Sequence, residues 1–408
     1  MKVIHLSNSD SGGAGIAAYR IHKSLTKIGV NSEMWVNVSI NKDNSVKSSK
    51  NIFKKFFNFT RRNSKKTLML FLKTKNPILH SPSFLSSSWV KKINSSDADI
   101  VNLHWVQHEM LSVSDISKIK KPLVWTLHDM WGFCGAEHIS WDKRWLDGYN
   151  VDNRPNYEIG FDINRWTWLR KKKYWKKPIQ IITPSTWLKK CVNNSKLMKN
   201  WPCKTIPNVI DTKLWKPVDK NLSRQALNLP KNEFILAFGS FNANQEYHKG
   251  FDLLLEALQN IKKKNLIKFQ LIIFGQKKTK NKISLNIPIY NMGHLDDIKL
   301  KKLYSAVDAV VVPSRLEAFG QIASEASACG TPVISFNTSG LKDIIIHQIT
   351  GYLAKQFDTE DLSQGIKWVL KNSEIEQLGY KARKHVINNF NNKLVAKKYL
   401  ETYQEVLK

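Results

Sequence analysis

Cysteine is scarce: four residues in 408, at positions 134, 191, 203 and 329, with no CxxC spacing among them. That argues against a disulfide framework and against a zinc site, and it fits reduced thiols in a cytosolic compartment. Long apolar runs are missing as well; none reaches the roughly 18 residues of a membrane-spanning helix. The opening "MKVIHLSNSDSGG" turns polar too soon for the apolar region of a signal peptide. A soluble chain is expected, or one that at most lies on a membrane. Acids are also few, 33 Asp and Glu against 64 Lys and Arg, for a formal net charge of +31. Such an excess attracts polyanions, whether nucleic acid, anionic lipid or phosphorylated substrates. A compositional bias towards Lys and Asn accounts for it equally well.

What the chain does have is 42% hydrophobic residues, arranged as short apolar runs that alternate with helical periodicity. "KVIHLS" reads as a strand, followed by a glycine-rich turn and a helix with Ala17, Ile21, Leu25 and Ile28 on one face, stopping at Gly29. "SEMWVNV", "ADIVNLHW", "PLVWTLHD" and "IQIITPS" continue the series, apolar on both faces as parallel strands covered by helices are. The alternation pauses at 207–221, rich in Pro and Asn, then restarts with "FILAFGS", "FQLIIFG", "DAVVVPS" and "PVISF". The pattern predicts an α/β protein of two doubly wound, Rossmann-like domains facing a cleft. Their expected bounds are 1–206 and 222–390, with 207–221 as linker and a last helix, 391–408, docking on the first domain.

Residues 44–75 stand apart, with ten Lys or Arg and no acid, interleaved with Phe53, Phe56, Phe57, Phe59, Leu68, Leu70, Phe71 and Leu72. A basic, aromatic amphipathic stretch suits an anionic membrane surface. A solvated helix packed on its own domain is the competing reading. No nucleic-acid reading motif accompanies the charge, so no nucleic-acid partner is expected.

Candidate site residues cluster at predicted strand ends. Gly13-Ala14-Gly15-Ile16-Ala17-Ala18 matches the G-x-G-x-x-A dinucleotide fingerprint, but the second strand ends in Val38-Ser39 without the ribose-binding acid, so an NAD-dependent oxidoreductase fails that check. The loop, with Gly12 and Gly13, still lets a phosphate or sugar approach the backbone. His128 and Asp129 stand where a buried strand emerges. Lys249 precedes an amphipathic helix whose start would suit a diphosphate. In "PSRLEAFGQIASEASACGTPVI" the helix begins at Gly320, placing Phe319 and Gly320 N–H groups at the strand ends. Glu325 lies about 7.5 Å further along, and Glu317 lies just before the helix. A capping acid and a solvent-facing acid would be the structural alternative, but the helix is otherwise small and apolar, and a buried acid needs a partner.

The motifs "GGAG", "LHD", "TPSTWL", "IPNVID", "HKGFDLLLEAL" and E-x7-E before "GTPVI" together make the chain resemble retaining glycosyltransferases of family four. Those that build bacterial exopolysaccharide or lipopolysaccharide, of the colanic-acid type, are the most similar. The resemblance implies a GT-B fold and a donor that is a nucleotide-diphosphate sugar. It implies transfer with retention to a glycan or lipid-linked acceptor in cell-surface polysaccharide synthesis, with no cofactor and no metal. By the same resemblance Glu325 binds the ribose, Glu317 contacts the transferred sugar, and Phe319 and Gly320 offer N–H groups to sugar or phosphate. Lys249 neutralises the diphosphate, the backbone near Gly293, His294 and Leu295 meets the base, and His128 lies beside the sugar. Gly12 and Gly13 face acceptor and phosphate, with Asp129 near them. Two departures stand out. Ser240 and His248 occupy places where many relatives have Arg, and the loop after "HD" holds Cys134 without partner cysteines but with Trp141, Trp145, Trp166, Trp168 and Trp175. The missing Arg leaves room for a different class, a catalytically inactive GT-B scaffold that binds polyanions or membrane.

Overall fold

A computed structural model describes residues 1–41, 43–48, 70–240, 246–263, 268–275, 287–372 and 375–408. The chain divides into two compact units, 1–209 with 393–408, and 210–392.

The first unit is built on β1 (Lys2–Ser9), β2 (Asn31–Val38), β3 (Val46–Ser48), β5 (Ile100–Leu103), β6 (Leu123–Thr126), β8 (Gln180–Thr183) and β9 (Cys203–Thr205). They form one sheet in the order β3-β2-β1-β5-β6-β8-β9, every pair parallel. A separate antiparallel pair joins β4 (Leu72–Thr74) to β7 (Glu158–Gly160). The stretch read as a basic amphipathic segment therefore has strands at its two described ends; its centre, 49–69, lies outside the described residues. Val3, Ile100, Val124 and Ile182 present one face of the sheet to Ile21 and Leu25 of the first helix. The final helix, Asn392–Leu407, covers the same core with Val395, Ala396, Tyr399 and Tyr403. Tyr403 is tied down further by its hydroxyl, which accepts a hydrogen bond from Asn102 Nδ2 at 2.7 Å.

The second unit carries β10 (Phe234–Gly239), β11 (Phe269–Phe274), β12 (Ile289–Gly293), β13 (Ala309–Val312), β14 (Val333–Phe336) and β15 (Gly351–Ala354). Its sheet, β12-β11-β10-β13-β14-β15, is again wholly parallel. Period-two alternation sends Ile235, Ala237, Ile272, Val310 and Val312 to one core, and Leu236, Phe238, Leu271, Ile273 and Val311 to the other. Both faces are thus dry, which is why these strands read as unbroken apolar runs. Trp215, inside the Pro- and Asn-rich stretch, is fully buried in this unit, its ring 5.8 Å from that of Tyr304. Arg383 Nη1 donates to the Trp215 carbonyl at 3.0 Å.

In each sheet the strand order reverses beside the first strand, between β1 and β5 and between β10 and β13. Crevices at the carboxyl ends of such switch points are where parallel α/β sheets take ligands.

Candidate functional site

In the second unit, β10 and β13 deliver the residues at their carboxyl ends. Ser240 follows β10, and the chain returns as a one-turn 3-10 helix, Tyr247–Lys249, before the helix Phe251–Lys263. Pro313, Ser314 and Glu317 follow β13. The two connections touch through backbone: Arg315 N–H donates to the His248 carbonyl at 2.8 Å. Gly250 (φ +67°) permits this approach, since a Cβ there would sit 2.0 Å from the Pro313 oxygen. Arg315 closes the clamp with both guanidinium nitrogens on Asp252, at 2.7 and 2.6 Å, while Nη1 also donates to the Tyr247 carbonyl.

That scaffold holds Lys249 Nζ 2.6 Å from Glu317 Oε1, which also accepts from Ser314 Oγ at 2.9 Å. Burial pushes the Lys249 pKa down, but the Glu317 carboxylate more than offsets it, and the net shift is upward. Burial likewise pushes Glu317 up, and the Lys249 charge, with help from His248 and Ser314, brings it below the ordinary value. Both groups are therefore charged at neutral pH. The Glu317 backbone is fixed too, its N–H donating to Ser339 Oγ at 2.9 Å and its carbonyl accepting from Gly340 N–H.

Gly320, at φ +109°, forms the N-cap of the helix Gln321–Ala328. A side chain there would strike Leu341 Cδ2 at 2.8 Å. Glu325 lies one turn inside this helix, only 7% exposed, and accepts from the Tyr304 hydroxyl at 3.3 Å. Neither a capping nor a solvent-facing role describes it. Phe319 is core, edge-on to Phe390. Ser240 Oγ donates to Glu246 at 2.6 Å. His294 is exposed just beyond β12, and Leu295 packs on the core.

The first unit holds a second cluster, a cavity of about 330 Å³ at the β1–β5 switch point. Ser7, Ser9, Ser11, the turn from Gly12 to Gly15, Trp105, His128 and Asp129 line it. The glycines form the first turn of the helix Gly12–Lys27 rather than a free loop. Gly15 is needed for packing, because a Cβ would lie 2.5 Å from the Ser9 carbonyl, whereas Gly12 and Gly13 face open space. Asp10, near the end of β1, spends its carboxylate on Ser39 Oγ and on the Ile40 and Asn41 N–H groups. Asp129 is equally occupied, accepting from Trp105 Nε1 at 2.9 Å and the Trp131 N–H, with His138 Nδ1 at 2.6 Å.

Of the tryptophans after "HD", Trp168 and Trp175 are core and Trp141 is exposed. What organises this loop is Lys171, wholly buried, whose ammonium donates to the carbonyls of Trp131, Cys134 and Gly135 and lies 3.7 Å over the Trp131 ring. No sequence spacing points to Lys171; its acceptors lie 36 to 40 residues away.

The histidines of this unit set an acid limit. Burial lowers His22 and His128 to about 4 and pushes His5 and His104 well below the ordinary value. Folded, these rings stay neutral; unfolded, each takes up a proton below about pH 6.5. Stability is therefore intact above that pH and falls as pH drops towards 4, by about 3 kcal/mol for His22 alone. Thermal melts are expected to show a midpoint several degrees lower at pH 5 than at pH 7, with His22→Gln narrowing the gap. Equal midpoints would contradict it.

Two parallel, doubly wound sheets in one chain fit the GT-B fold, and solved proteins of that fold match along the whole chain. Sucrose-phosphate synthase from Thermosynechococcus elongatus does so with TM-score 0.65 and 18% identity, covering 100% of this chain and 99% of that one. Anabaena Alr3699/HepE, solved with UDP and glucose, gives 0.67 and 17%, with 99% of each chain covered. Residues 219–389, nearly all of the second unit, match the family model "Glycosyl transferases group 1". The D-inositol 3-phosphate glycosyltransferase of Saccharomonospora viridis is 26% identical over 224 residues, 50% of each protein. The chain spans about half the length of the curated relatives it matches. These likenesses give no support to an inactive scaffold or to an NAD-dependent oxidoreductase.

Proposed function

We propose that the protein is a retaining, metal-independent glycosyltransferase. It moves a hexosyl group from a nucleotide-diphosphate sugar to a glycan or lipid-linked acceptor during cell-surface polysaccharide synthesis, in the cytoplasm. The observation that carries this reading is the Lys249–Glu317 pair at the β10–β13 switch point, held by Ser314 and the Gly250 contact, within the segment that matches group 1 glycosyltransferases. Lys249 and the helix start at Gly320 address the charge that grows on the departing diphosphate. Glu317 faces the sugar, and Glu325, one turn along, takes the ribose. The backbone about His294 and Leu295 meets the base, with Ser240, Phe319 and Gly320 completing the donor site. His128, Gly12, Gly13 and Asp129 supply the sugar and acceptor side. In the retaining step the acceptor hydroxyl oxygen bonds to the anomeric carbon as the carbon–phosphate oxygen bond breaks, and the hydroxyl proton passes to the departing phosphate oxygen on the same face.

Nucleoside diphosphates and nucleotide sugars test this by thermal shift. A ligand at a hundred times its Kd adds about 2.7 kcal/mol, which is a rise on the order of 5 °C for domains of this size. One base is expected to dominate; no rise with any nucleotide would overturn the reading.

The same reading includes attachment to an anionic membrane face. Its support is the charge of residues 44–75, together with the exposure of Leu70, Phe71, Ile159 and Phe161 at 76%, 61%, 56% and 46%. Among the described residues no helix is long and apolar enough to cross a membrane. Co-sedimentation with phosphatidylglycerol vesicles, lost on Lys/Arg→Gln changes in 44–75, is the expected result. Unchanged binding would remove this element.

A further inference from the structure

Three histidines run in a line from the sheet core to the cavity of the first unit. His5 Nδ1 is 2.9 Å from His104 Nε2, and His104 Nδ1 is 3.0 Å from His128 Nε2. The rings stack, with centroids 5.2 and 5.3 Å apart. His5 lies within β1, His104 directly after β5 and His128 two residues past β6, strands adjacent in the sheet, and only the last of them lines the cavity.

We infer that His5 and His104 are positioning residues that fix the tautomer of His128, so that His128 meets the cavity with an Nδ1–H donor.

A neutral imidazole carries one N–H, so two hydrogen bonds through three rings can be polarised in only two ways. If His128 donates from Nε2, His104 must donate from Nε2 to His5 Nδ1. His5 is then left with an Nε2–H, and that atom is buried and has no partner among the described residues. Orphaned buried N–H groups are the rarer and costlier kind. If instead His5 donates from Nδ1, His104 passes the polarity on, and the buried His5 Nε2 is only a bare lone pair. No other group among the described residues reverses this choice. His22, the next ring at 6.0 Å from His5, has both nitrogens engaged by Ser32 and Ser45. Tyr403, 6.5 Å from His5, has its hydroxyl on Asn102. Asp129, beside His128, is held by Trp105, Trp131 and His138. Burial keeps all three rings of the chain neutral.

The outward polarity makes His128 a hydrogen-bond donor to a ligand oxygen and removes it as a general base at Nδ1. Which ligand supplies that oxygen rests on the reading above, where it is a sugar hydroxyl; the tautomer itself does not. The full chain, labelled with 15N-histidine and free of ligand, reports the protonated nitrogen in long-range 1H–15N correlation, with His128 identified by loss of its signal in His128→Asn. A protonated Nδ1 and bare Nε2 are expected in the parent protein. His5→Asp, whose ionised carboxylate only accepts and so takes the His104 Nε2–H, should reverse the polarity and move the proton to Nε2, while His5→Asn, whose amide N–H still donates to His104, should leave it on Nδ1. If transfer is measurable, His5→Asp should lower kcat/KM by about tenfold, the weight of one hydrogen bond, with His5→Asn restoring most of it. A bare Nδ1 in the parent protein overturns the proposal, as does an unmoved proton in folded His5→Asp with His104 neutral in the same spectrum. Should His5→Asp fail to fold, the parent protein and His5→Asn still decide it. Absence of all transfer activity with the expected tautomer would instead count against the enzymatic reading alone.

Discussion

Lys249→Ala is expected to reduce sugar transfer and donor hydrolysis by roughly 10²–10³-fold, the range seen when one preorganised stabiliser of transition-state charge is removed. The fold should survive. Lys249 and Glu317 are 22% and 16% exposed, so their pair adds modestly to stability. With the ammonium gone, the Glu317 pKa rises towards or above the ordinary value, since burial is left without the charge that offsets it. The carboxylate then takes up a proton more readily, which limits the cost of losing its partner, and the variant should melt within a few degrees of the parent. Lys249→Arg keeps the charge but not the compact ammonium geometry, and is expected to recover part of the loss. Steady-state transfer with parallel melts is the measurement. Parent-level turnover in Lys249→Ala would remove this residue from the diphosphate site.

The ion pair also predicts where activity ends at low pH. Glu317 is held below its ordinary pKa, so the pair is complete above that range and is lost as pH falls through the depressed value. The raised Lys249 pKa carries the pair upward through the alkaline side until the ammonium loses its proton. The neutral window is thus one in which both charges exist, the ammonium for the diphosphate and the carboxylate for the sugar of the proposed donor site.

The order of motifs made the architecture legible. Apolar runs broken by helical periodicity gave two parallel sheets, polar residues directly after such a run gave the strand end where His128 and Asp129 stand, and Lys249 and Glu317 stood out as charges just ahead of helices. Partners lay beyond that reach because strand order sets them. His5, His104 and His128 are separated by 99 and 24 residues in sequence and meet only because β1, β5 and β6 are neighbours. Arg315 and Asp252 are 63 residues apart, and their clamp exists because β10 and β13 pair. Residues 207–221 read as linker from their Pro and Asn content, yet 207–209 belong to the first unit, and burying Trp215 draws 210–221 into the second. Composition reports what a loop is made of; one large apolar side chain decides where it packs. The same holds after "HD", where the buried Lys171 and its carbonyls, not an aromatic array, give the loop its shape.

Gly250→Ala is expected to produce the largest loss of stability and to take the donor site with it. At φ +67° an alanine alone is strained by about 1 kcal/mol. Here its Cβ would also lie 2.0 Å from the Pro313 oxygen and 2.9 Å from the Pro313 carbonyl carbon, both backbone atoms that no rotamer change can move. The two connections must separate, which breaks the Arg315 N–H to His248 carbonyl bond and pulls Lys249 away from Glu317. Strain, a lost backbone hydrogen bond and a partly buried pair opened together amount to roughly 3–5 kcal/mol. Gly29→Ala isolates the steric part, because Gly29 has φ +86° with nothing within 4 Å of its Cβ position, and should lose only the strain. Urea unfolding of both variants measures the difference, and nucleotide-induced thermal shift shows whether the donor site went with it. If Gly250→Ala unfolds no more easily than Gly29→Ala, the backbone contact between the two connections is not what holds Lys249 in place.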